Sequence, residues 1–327
     1  MTTSIIVPTH NRHGALAALL NDLSRQDSRH SIEVLVVDSD EGESPQTIVD
    51  KFAAKGMNVK LLIAPNALSA KRNAGAANAA GSTLLFLDDD MRVPPNFVRS
   101  HEQAQQRPGV VVSSQIVFPR KWINRSNYYR YKNARHFNEY SGRSAPETLA
   151  PNNYVAMAFS ISADDYHRIG GTDEDFQLYG GEDVEFGFRS ARQGLTHVYA
   201  PDALAVHEEV DMDAYAFAAK VYKASYYGQA LVLDKAPEAT QVRTFRLLEP
   251  RLRETPAEKA AGTALDLLAT APLLRALLRI LHATDRHRAL HMPALYNAAL
   301  LLASELGIKD RDANRPDRSG TIKAKKR

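Results

Sequence analysis

Residues 84–95 read LLFLDDDMRVPP, an apolar run that ends in three consecutive carboxylates and then in a pair of prolines. Bounded by Gly81 and built from Leu and Phe, the run predicts a buried strand. Held a few ångströms apart, Asp88, Asp89 and Asp90 would repel one another by about 1 kcal/mol per pair in water and about 4 kcal/mol at an effective dielectric of 20. The strand end therefore calls for a positive partner. One aspartate there would read as a turn or helix cap. Three in succession point to a bound cation. Side chains alternate along an extended backbone, so Asp88 and Asp90 are expected to face one way and Asp89 the other. Such a pair suits Mg2+ or Mn2+, ions that lean on few protein ligands and on substrate phosphates.

The same pattern repeats toward the N-terminus. SIIVP (4–8) reads as a strand, and in HGALAALLNDLSRQ (13–26) Leu16, Leu19, Leu20 and Leu23 share one helix face. IEVLVVD (32–38) is the next strand, followed by a helix that Ser44 and Pro45 introduce and Gly56 ends, with Ile48, Val49 and Phe52 as its apolar face. VKLLI (59–63) is a third strand and SAKRNAGAANAAG (69–81) an Ala-rich helix before the fourth. Repeated β-α-β units predict an α/β fold, a mostly parallel sheet with helices on both faces, whose ligands collect at the carboxyl ends of the strands. Those ends carry Pro8, Thr9, His10, Asn11 and Arg12, then Asp38, Ser39 and Asp40, then Asp88 to Asp90. The first turn lacks G-x-G-x-x-G, and G-x-x-x-x-G-K-[ST] occurs nowhere, which argues against a dinucleotide fold and a P-loop.

Downstream, residues 115–151 lose this regularity in an aromatic and basic stretch holding the only tryptophan, Trp122, and read as a functional loop. NNYVAMAFSIS (152–162) reads as a strand, DDYHRIGG (164–171) as a short helix, and HVYAPDALAVHEE (197–209) as edge-like strands ending on His207. In YGGEDVEFGFR (179–189) a Gly-Gly turn enters a helix with Glu182 and Asp183 at its start, where the helix dipole favours anions. Asp183 reads equally as a cap and as a general base. Glu185 and Arg189 are expected as an i, i+4 surface pair. A lone His207 after a strand is more commonly a structural histidine than a ligand.

Composition bounds the rest. Apolar residues make up 44% and charged residues 24% of the 327 positions, ordinary values for a globular enzyme, and no uncharged run reaches the ~20 residues of a membrane span. No secretory leader is visible at the N-terminus, so a cytoplasmic setting is expected. The chain has no cysteine, leaving carboxylates and histidine as candidate metal ligands. Of the net charge of +3, residues 309–327 contribute eight Lys/Arg and three Asp, a surplus of five, so the body carries −2. Beyond Asp211 the texture is helical, broken at Pro237, Pro250, Pro256, Pro272 and Pro293. The expected organisation is a catalytic domain over 1–210, with halves 1–114 and 115–210, a helical region over 211–308 and a solvated basic tail over 309–327. LLRALLRILH (273–282) is expected to pack on the catalytic domain or a second copy, with the anionic face of a membrane as the alternative surface for it and the tail.

SIIVPTHNR, VLVVDSD, AKRNAGAANAAGSTLLFLDDD and GGTDEDFQLYGGEDVEFGFR, in this order, resemble the signatures of the family 2 glycosyltransferases, inverting enzymes of the GT-A fold. The last segment also resembles the acceptor-side segment of galactosyltransferase-like and chondroitin-polymerase-like members. The resemblance covers about residues 3–208. It implies that Pro8, Thr9, Asn11 and Arg12 line the base and ribose of a nucleotide-sugar donor, that Asp38 accepts a hydrogen bond from a uracil ring, and that Arg72 lies near the nucleotide. On helix texture alone, Lys71, Arg72 and Asn73 would read as a solvated face. The resemblance further implies that Asp88 and Asp90 are the ends of a D-x-D motif, with Asp89 between them at the donor and Asp90 and Asp88 at an Mn2+ or Mg2+ ion, that His207 is a further metal ligand, that Asp183 is the base and that Glu182 is its neighbour. Trp122, Tyr154 and Gly181 are expected on the acceptor side. The partner set so implied is a nucleotide-sugar donor and a glycan, lipid-linked, peptide or small-molecule acceptor, without nucleic acid, with peripheral membrane contact and homo-oligomer formation as further expectations. The second strand ends DSD where DDGS is usual, which affects the residue after Asp38.

Two other readings compete. A phosphohydrolase of the haloacid dehalogenase type also ends a strand in D-x-D, but Arg92 stands four after Asp88 where that family has Thr or Val. A non-catalytic nucleotide-sugar-binding module would not need Asp88, Asp90 and Asp183 together.

Overall fold

β1 (Thr2–Pro8) pairs in parallel with β2 (Ser31–Asp38) on one side and β4 (Thr83–Leu87) on the other, and β2 pairs in parallel with β3 (Val59–Ile63). β1, β2 and β4 are buried on both faces, as strands covered by helices must be, whereas the edge strand β3 exposes Lys60 and Ile63. The far half of the sheet mixes directions: β7 (Ala158–Ser162) is antiparallel to β4 and to β6 (Val110–Val117), β8 (Thr196–His207) runs parallel to β6, and the two-residue β5 (Met91–Arg92) is antiparallel to β8. The strand order is β3-β2-β1-β4-β7-β6-β8-β5.

The computed structural model describes residues 2–138, 141 and 147–322 and divides into two compact units, the first made of Met1–Pro119, Ala134–Gln177 and Arg189–Glu208. Within it α1 (His13–Leu23), α2 (Gln46–Ala53) and α4 (Phe97–Ala104) bury Leu16, Leu20, Phe52 and Phe97 against Ile5, Val7, Val36 and Leu85 on one face of the sheet. On the other face α3 (Leu68–Ala77) approaches β1 so closely that a Cβ on Gly75 would lie 2.4 Å from Ile6 Cγ2, and Tyr166 of α7 (Ala163–Arg168) packs on Phe86 at 4.9 Å. Ala side chains and a glycine allow that approach, which brings Lys71 and Arg72 onto the rim of the sheet.

Several expectations change here. Residues 115–151 are not one loop: β6 runs to Val117, and α5 (Arg120–Arg125) and α6 (Asn127–Ala134) follow, while 139–140 and 142–146 lie outside the described residues. Aromatic side chains at 122, 128, 129 and 131 mask the helical period. The strand read over 152–162 begins only at Ala158, after a 3₁₀ turn at Pro151–Asn153. β8 is a single interior strand rather than an edge; its pairing with β6 jumps from Ser114↔Ala200 to Gln115↔Leu204, leaving Pro201–Ala203 bulged out.

The second unit is made of Arg120–Asn133, Leu178–Phe188 and Glu209–Arg327. α8 (Glu182–Arg192) begins in it, and α9 (Ala214–Lys223), a π-helical turn (Ala224–Gly228) and α10 (Gln229–Lys235) run on without a break. α11 (Arg243–Leu248), α12 (Pro256–Leu268), α13 (Ala271–Thr284) and α14 (Pro293–Asp312) follow, with Pro256, Pro272 and Pro293 in the first turns of the last three, where a missing N–H is harmless. Leu274, Leu278 and Leu281 of α13 bury themselves with Phe217, Tyr222, Tyr296 and Leu302, so LLRALLRILH packs its apolar stripe within this unit. Lys309 to Asp312 form the last turn of α14, and buried Asp310 accepts from Tyr222 Oη (2.6 Å) and Arg318 Nε (2.8 Å), so the chain folds back as far as Ile322. Residues 323–327 lie outside the described residues. Among the described residues no helix is long and apolar enough to cross a membrane. Glu185 is buried to 1% exposure rather than placed at the surface, and Arg189 donates to the carbonyls of Ile169 and Gly171.

Candidate active site

Four parallel strand ends, those of β1, β2, β4 and β6, open on one rim of the first unit. β1 ends at Pro8, and the chain turns sharply through Asn11, which takes a left-handed φ of 53° that asparagine tolerates. Its Oδ1 accepts from Glu43 N (3.2 Å) and fixes the turn. Asp38 ends β2 fully buried; its Oδ1 accepts from Ser39 N (2.8 Å) and lies 3.7 Å from Lys71 Nζ. Lys71 also donates to the Thr9 carbonyl (2.7 Å), tying the first two strand ends to α3. Burial pulls its ammonium pKa below the ordinary lysine value against the opposing pull of Asp38. The helix-texture reading of Lys71 and Arg72 as a solvated face is therefore incorrect: both are buried, at 3% and 1% exposure.

At the end of β4 the chain leaves the extended conformation. Met91 N donates to Asp88 O (3.2 Å), closing a turn over the three aspartates. The expected alternation fails for that reason. Asp89 and Asp90 converge on one guanidinium: Arg12 Nη1 donates to Asp89 Oδ1 (3.0 Å) and to Asp90 Oδ2 (2.7 Å), while Thr9 Oγ1 donates to Asp89 Oδ2 (2.7 Å). Asp88 instead accepts from Arg72 Nη2 (3.3 Å), a group that also donates to Ala156 O (3.0 Å). The positive partner required by the acidic run is thus supplied by Arg12 and Arg72. Burial raises the pKa of Asp88 and of Asp89 above the usual carboxylate range; Arg72 opposes the shift at Asp88, and Arg12 and Thr9 oppose it at Asp89. Burial works against the Arg12 charge too, but Asp89, Asp90 and Asp88 outweigh it and hold the guanidinium pKa higher than usual.

The antiparallel pairing of Met91 with His207 delivers the imidazole to this cluster, its Nε2 3.3 Å from Asp90 Oδ1. Phe118 packs on the ring at 5.3 Å, and His207 Nδ1 is buried without a hydrogen-bond partner among the described residues. Two adjacent ligands on an octahedral ion with bonds of about 2.1 Å lie about 3 Å apart, so the Asp90–His207 pair fits a small divalent cation. Among the described residues no three His, Asp or Glu side chains form a metal-binding group, so such an ion would draw its remaining ligands from water or phosphate.

Other expected residues lie elsewhere. Tyr154 belongs to the first unit but is buried to 4% exposure, edge-on to Phe159 and His197. Trp122, Gly181, Glu182 and Asp183 belong to the second unit. Trp122 stacks obliquely on Tyr129 at 4.9 Å. Asp183 stands in the first turn of α8, its Oδ1 accepting from Val184 N (2.8 Å), and Glu182 Oε2 accepts from Gly180 N (3.2 Å). His10, placed by the sequence on the strand-end rim but given no role there, has its Nδ1 3.8 Å from Asp38 Oδ1 and 3.1 Å from Ser39 Oγ. Its place directly after a strand-end threonine was the available signal.

Residues 4–167 match the model of glycosyl transferase family 2, and residues 146–212 match that of the N-terminal domain of galactosyltransferase. A chondroitin synthase of Pasteurella multocida (strain Pm70) is 27% identical over 244 residues, a match that takes in 63% of this chain and 24% of the synthase. The chain thus spans about a quarter of that relative's length. Among solved structures, the mannosyltransferase PcManGT from Pyrobaculum calidifontis, in complex with GDP-Man and Mn2+, superposes with a TM-score of 0.62 at 18% identity, over 96% of this chain and 88% of its own. GalNAc-T7 with UDP, GalNAc and Mn2+ gives a TM-score of 0.55 at 14% identity, over 80% and 54%. At such identities the likeness is one of fold.

Proposed function

Because the chain belongs to glycosyl transferase family 2 and shares the GT-A fold of its solved neighbours, we propose that it transfers a sugar, with inversion, from a UDP-sugar to an acceptor hydroxyl with the help of Mn2+ or Mg2+. The observation that carries this reading is the 3.3 Å approach of Asp90 Oδ1 to His207 Nε2 at the strand-end rim. Manganese bound in both solved neighbours supports it. Family membership leaves no place for the phosphohydrolase reading, whose D-x-D aspartate would be a nucleophile.

Asp38, buried at the end of β2, accepts a hydrogen bond from the ring N–H of uracil, and Lys71 holds that carboxylate in place. Pro8, Thr9 and Asn11 line the base and ribose from the turn after β1. Arg12 and Arg72 add positive potential beside the diphosphate, and Asp88 and Asp89 orient those two cations. Asp90 and His207, with Asp88 beside them, would hold the cation, which would supply Lewis-acid stabilisation of the departing diphosphate. Asp183 takes the proton of the acceptor hydroxyl as its oxygen attacks the anomeric carbon opposite the leaving group, with Glu182 beside it; inversion follows because one displacement suffices. The acceptor side falls to the Trp122 and Gly181 segments.

A thermal-shift series with UDP, dTDP and GDP, each with and without Mn2+, tests the proposal. A ligand that binds only the folded chain at 100 times its Kd raises stability by about 2.7 kcal/mol. UDP with Mn2+ is expected to give the largest shift, and Asp90→Ala to abolish its metal-dependent part. Stabilisation by GDP in place of UDP would overturn the base assignment, and equal shifts in Asp90→Ala would overturn the metal assignment.

A further inference from the structure

We propose that the π-helical turn Ala224–Gly228 is a positioning element for Asp183, locked by direct backbone contact onto the turn that enters α8; its catalytic half rests on Asp183 being the base proposed above. The contact is made by glycines on both sides. Gly180 and Gly181 take φ values of +111° and +103°, a region closed to most L side chains. A Cβ on Gly180 would lie 2.3 Å from Ala224 Cβ and 2.6 Å from its Cα. A Cβ on Gly228 would lie 1.9 Å from the Gly180 carbonyl oxygen. No side chain fits between the two segments at either point.

Two locally unfavourable choices coincide at this contact. A π turn is rare and is found mostly at functional sites, and a glycine inside a helix costs about 1 kcal/mol relative to alanine. Both occur where Gly180 docks, in the middle of the unbroken helical run from Ala214 to Lys235. The π turn is also gripped from behind. Gly307 of α14 comes so near that its Cβ would lie 2.4 Å from Tyr222 O and 3.2 Å from Tyr226 N. Tyr222 Oη donates to Asp310 of α14 (2.6 Å) and Tyr226 Oη to Arg315 O just beyond it (2.6 Å), fastening the end of α14 and the residues after it to the same segment.

The position of Gly180–Gly181 sets the start of α8. Glu185 N donates to Gly181 O (2.9 Å), the first hydrogen bond of that helix, and Asp183 lies within the loop this bond closes. A carboxylate that must meet one hydroxyl proton tolerates little displacement, since a misplacement of about 1 Å is enough to cost about 100-fold in rate. The C-terminal helices so acquire a role: through Gly307, the π turn and Gly228 they fix where α8 begins.

The test uses the full chain in three variants. Gly228→Ala forces a methyl against Gly180 O. Gly307→Ala pushes on the π turn from α14 without touching 178–188. Gly262→Ala, within α12, places a Cβ 2.1 Å from Nε of Arg253, which precedes that helix, and serves as the control for strain elsewhere in the unit. Hydrogen exchange of the amides of 182–186 is read in each folded variant, together with thermal shifts by UDP and Mn2+. Release of nucleoside diphosphate is followed from whichever of UDP-glucose, UDP-N-acetylglucosamine, UDP-glucuronate and GDP-mannose the wild type turns over. In Gly228→Ala and Gly307→Ala the 182–186 amides are expected to exchange about tenfold faster and kcat to fall about 100-fold, with donor KM and the nucleotide thermal shift unchanged. Gly262→Ala is expected to change neither. Unchanged exchange at 182–186 in both folded variants, or an equal loss of kcat in Gly262→Ala, would overturn the proposal. Faster exchange with full turnover, alongside an active Asp183→Asn, would refute the base assignment and leave the mechanical link standing.

Discussion

Nη1 of Arg12 lies 2.7 Å from Oδ2 of Asp90, the carboxylate whose other oxygen faces His207. One side chain thus answers to an internal guanidinium and, in the proposed function, to a divalent ion as well. Arg12→Met should separate these roles. Loss of the guanidinium leaves Asp89 and Asp90 facing each other, so the protein should lose about 1–2 kcal/mol; a fully buried pair would lose about 3–5 kcal/mol, but 52% of the Arg12 side chain is in solvent. The affinity for Mn2+ without nucleotide should rise, because the metal no longer competes for Asp90. Urea unfolding and a manganese titration followed by electron paramagnetic resonance check the two parts, and weaker metal binding in the variant would contradict the shared-carboxylate picture.

Removing the proposed metal ligands one at a time should give an order. His207→Ala is expected to lower metal affinity about 10–100-fold, in the range seen when a group supporting a metal site is lost. Asp90→Ala should lower it further, because the ion then loses its anionic ligand. Isothermal titration with Mn2+ and UDP reads the order. A larger effect from His207→Ala would reverse the assignment of the principal ligand.

Asp183→Asn keeps the shape of the first turn of α8 and removes the basic oxygen. As general base it should contribute about 10²–10⁴-fold, so kcat should fall by that factor while donor KM stays within a factor of about two. Steady-state kinetics with the best donor decides this. A parallel rise in KM with kcat preserved would place Asp183 in binding instead.

His101 gives a pH prediction separate from catalysis. Its ring is fully buried in α4, Nδ1 2.9 Å from Ser160 Oγ and Nε2 2.9 Å from Ser114 Oγ, and burial lowers its pKa to about 3. The folded chain keeps this histidine neutral, whereas the unfolded chain protonates it near 6.5. Stability is therefore lost as pH falls from about 6.5 toward 3, at up to about 1.4 kcal/mol per pH unit from this group. Urea titrations at pH 7.5, 6 and 5 should show a shallower decline in His101→Gln. Parallel declines would mean that His101 is charged in the folded protein.

Much of this was legible in the sequence because the first half of the chain is periodic. Leu16, Leu19, Leu20 and Leu23 declare a helix and IEVLVVD a strand buried on both faces, and the order of such units places every strand end on one rim. The rim itself was read less well. The alternation rule for Asp88–Asp90 assumes an extended backbone, and the turn closed by Met91 N and Asp88 O ends that backbone one residue too early for the rule to apply. Lys71 and Arg72 looked like solvent-facing cations because helix texture does not report which flank of a small-residue helix meets the sheet; only the closeness of Gly75 to Ile6 decides that. Aromatic residues hid α5 and α6, since tyrosines placed at a core and tyrosines lining a loop spell the same letters.

The bulge at Pro201–Ala203 divides β8 into a part that tolerates a change of length and a part that does not. Those three residues stand outside the pairing with β6, so a residue gained or lost there is taken up by the bulge, while Leu204–Val206 keep their partners and His207 stays abreast of Met91. A residue gained or lost between Leu204 and His207 would fall in the paired ladder, turn the imidazole to the other side of the sheet and leave Phe118 and Asp90 without it. Length variation among relatives is therefore expected at 201–203 and not at 204–207.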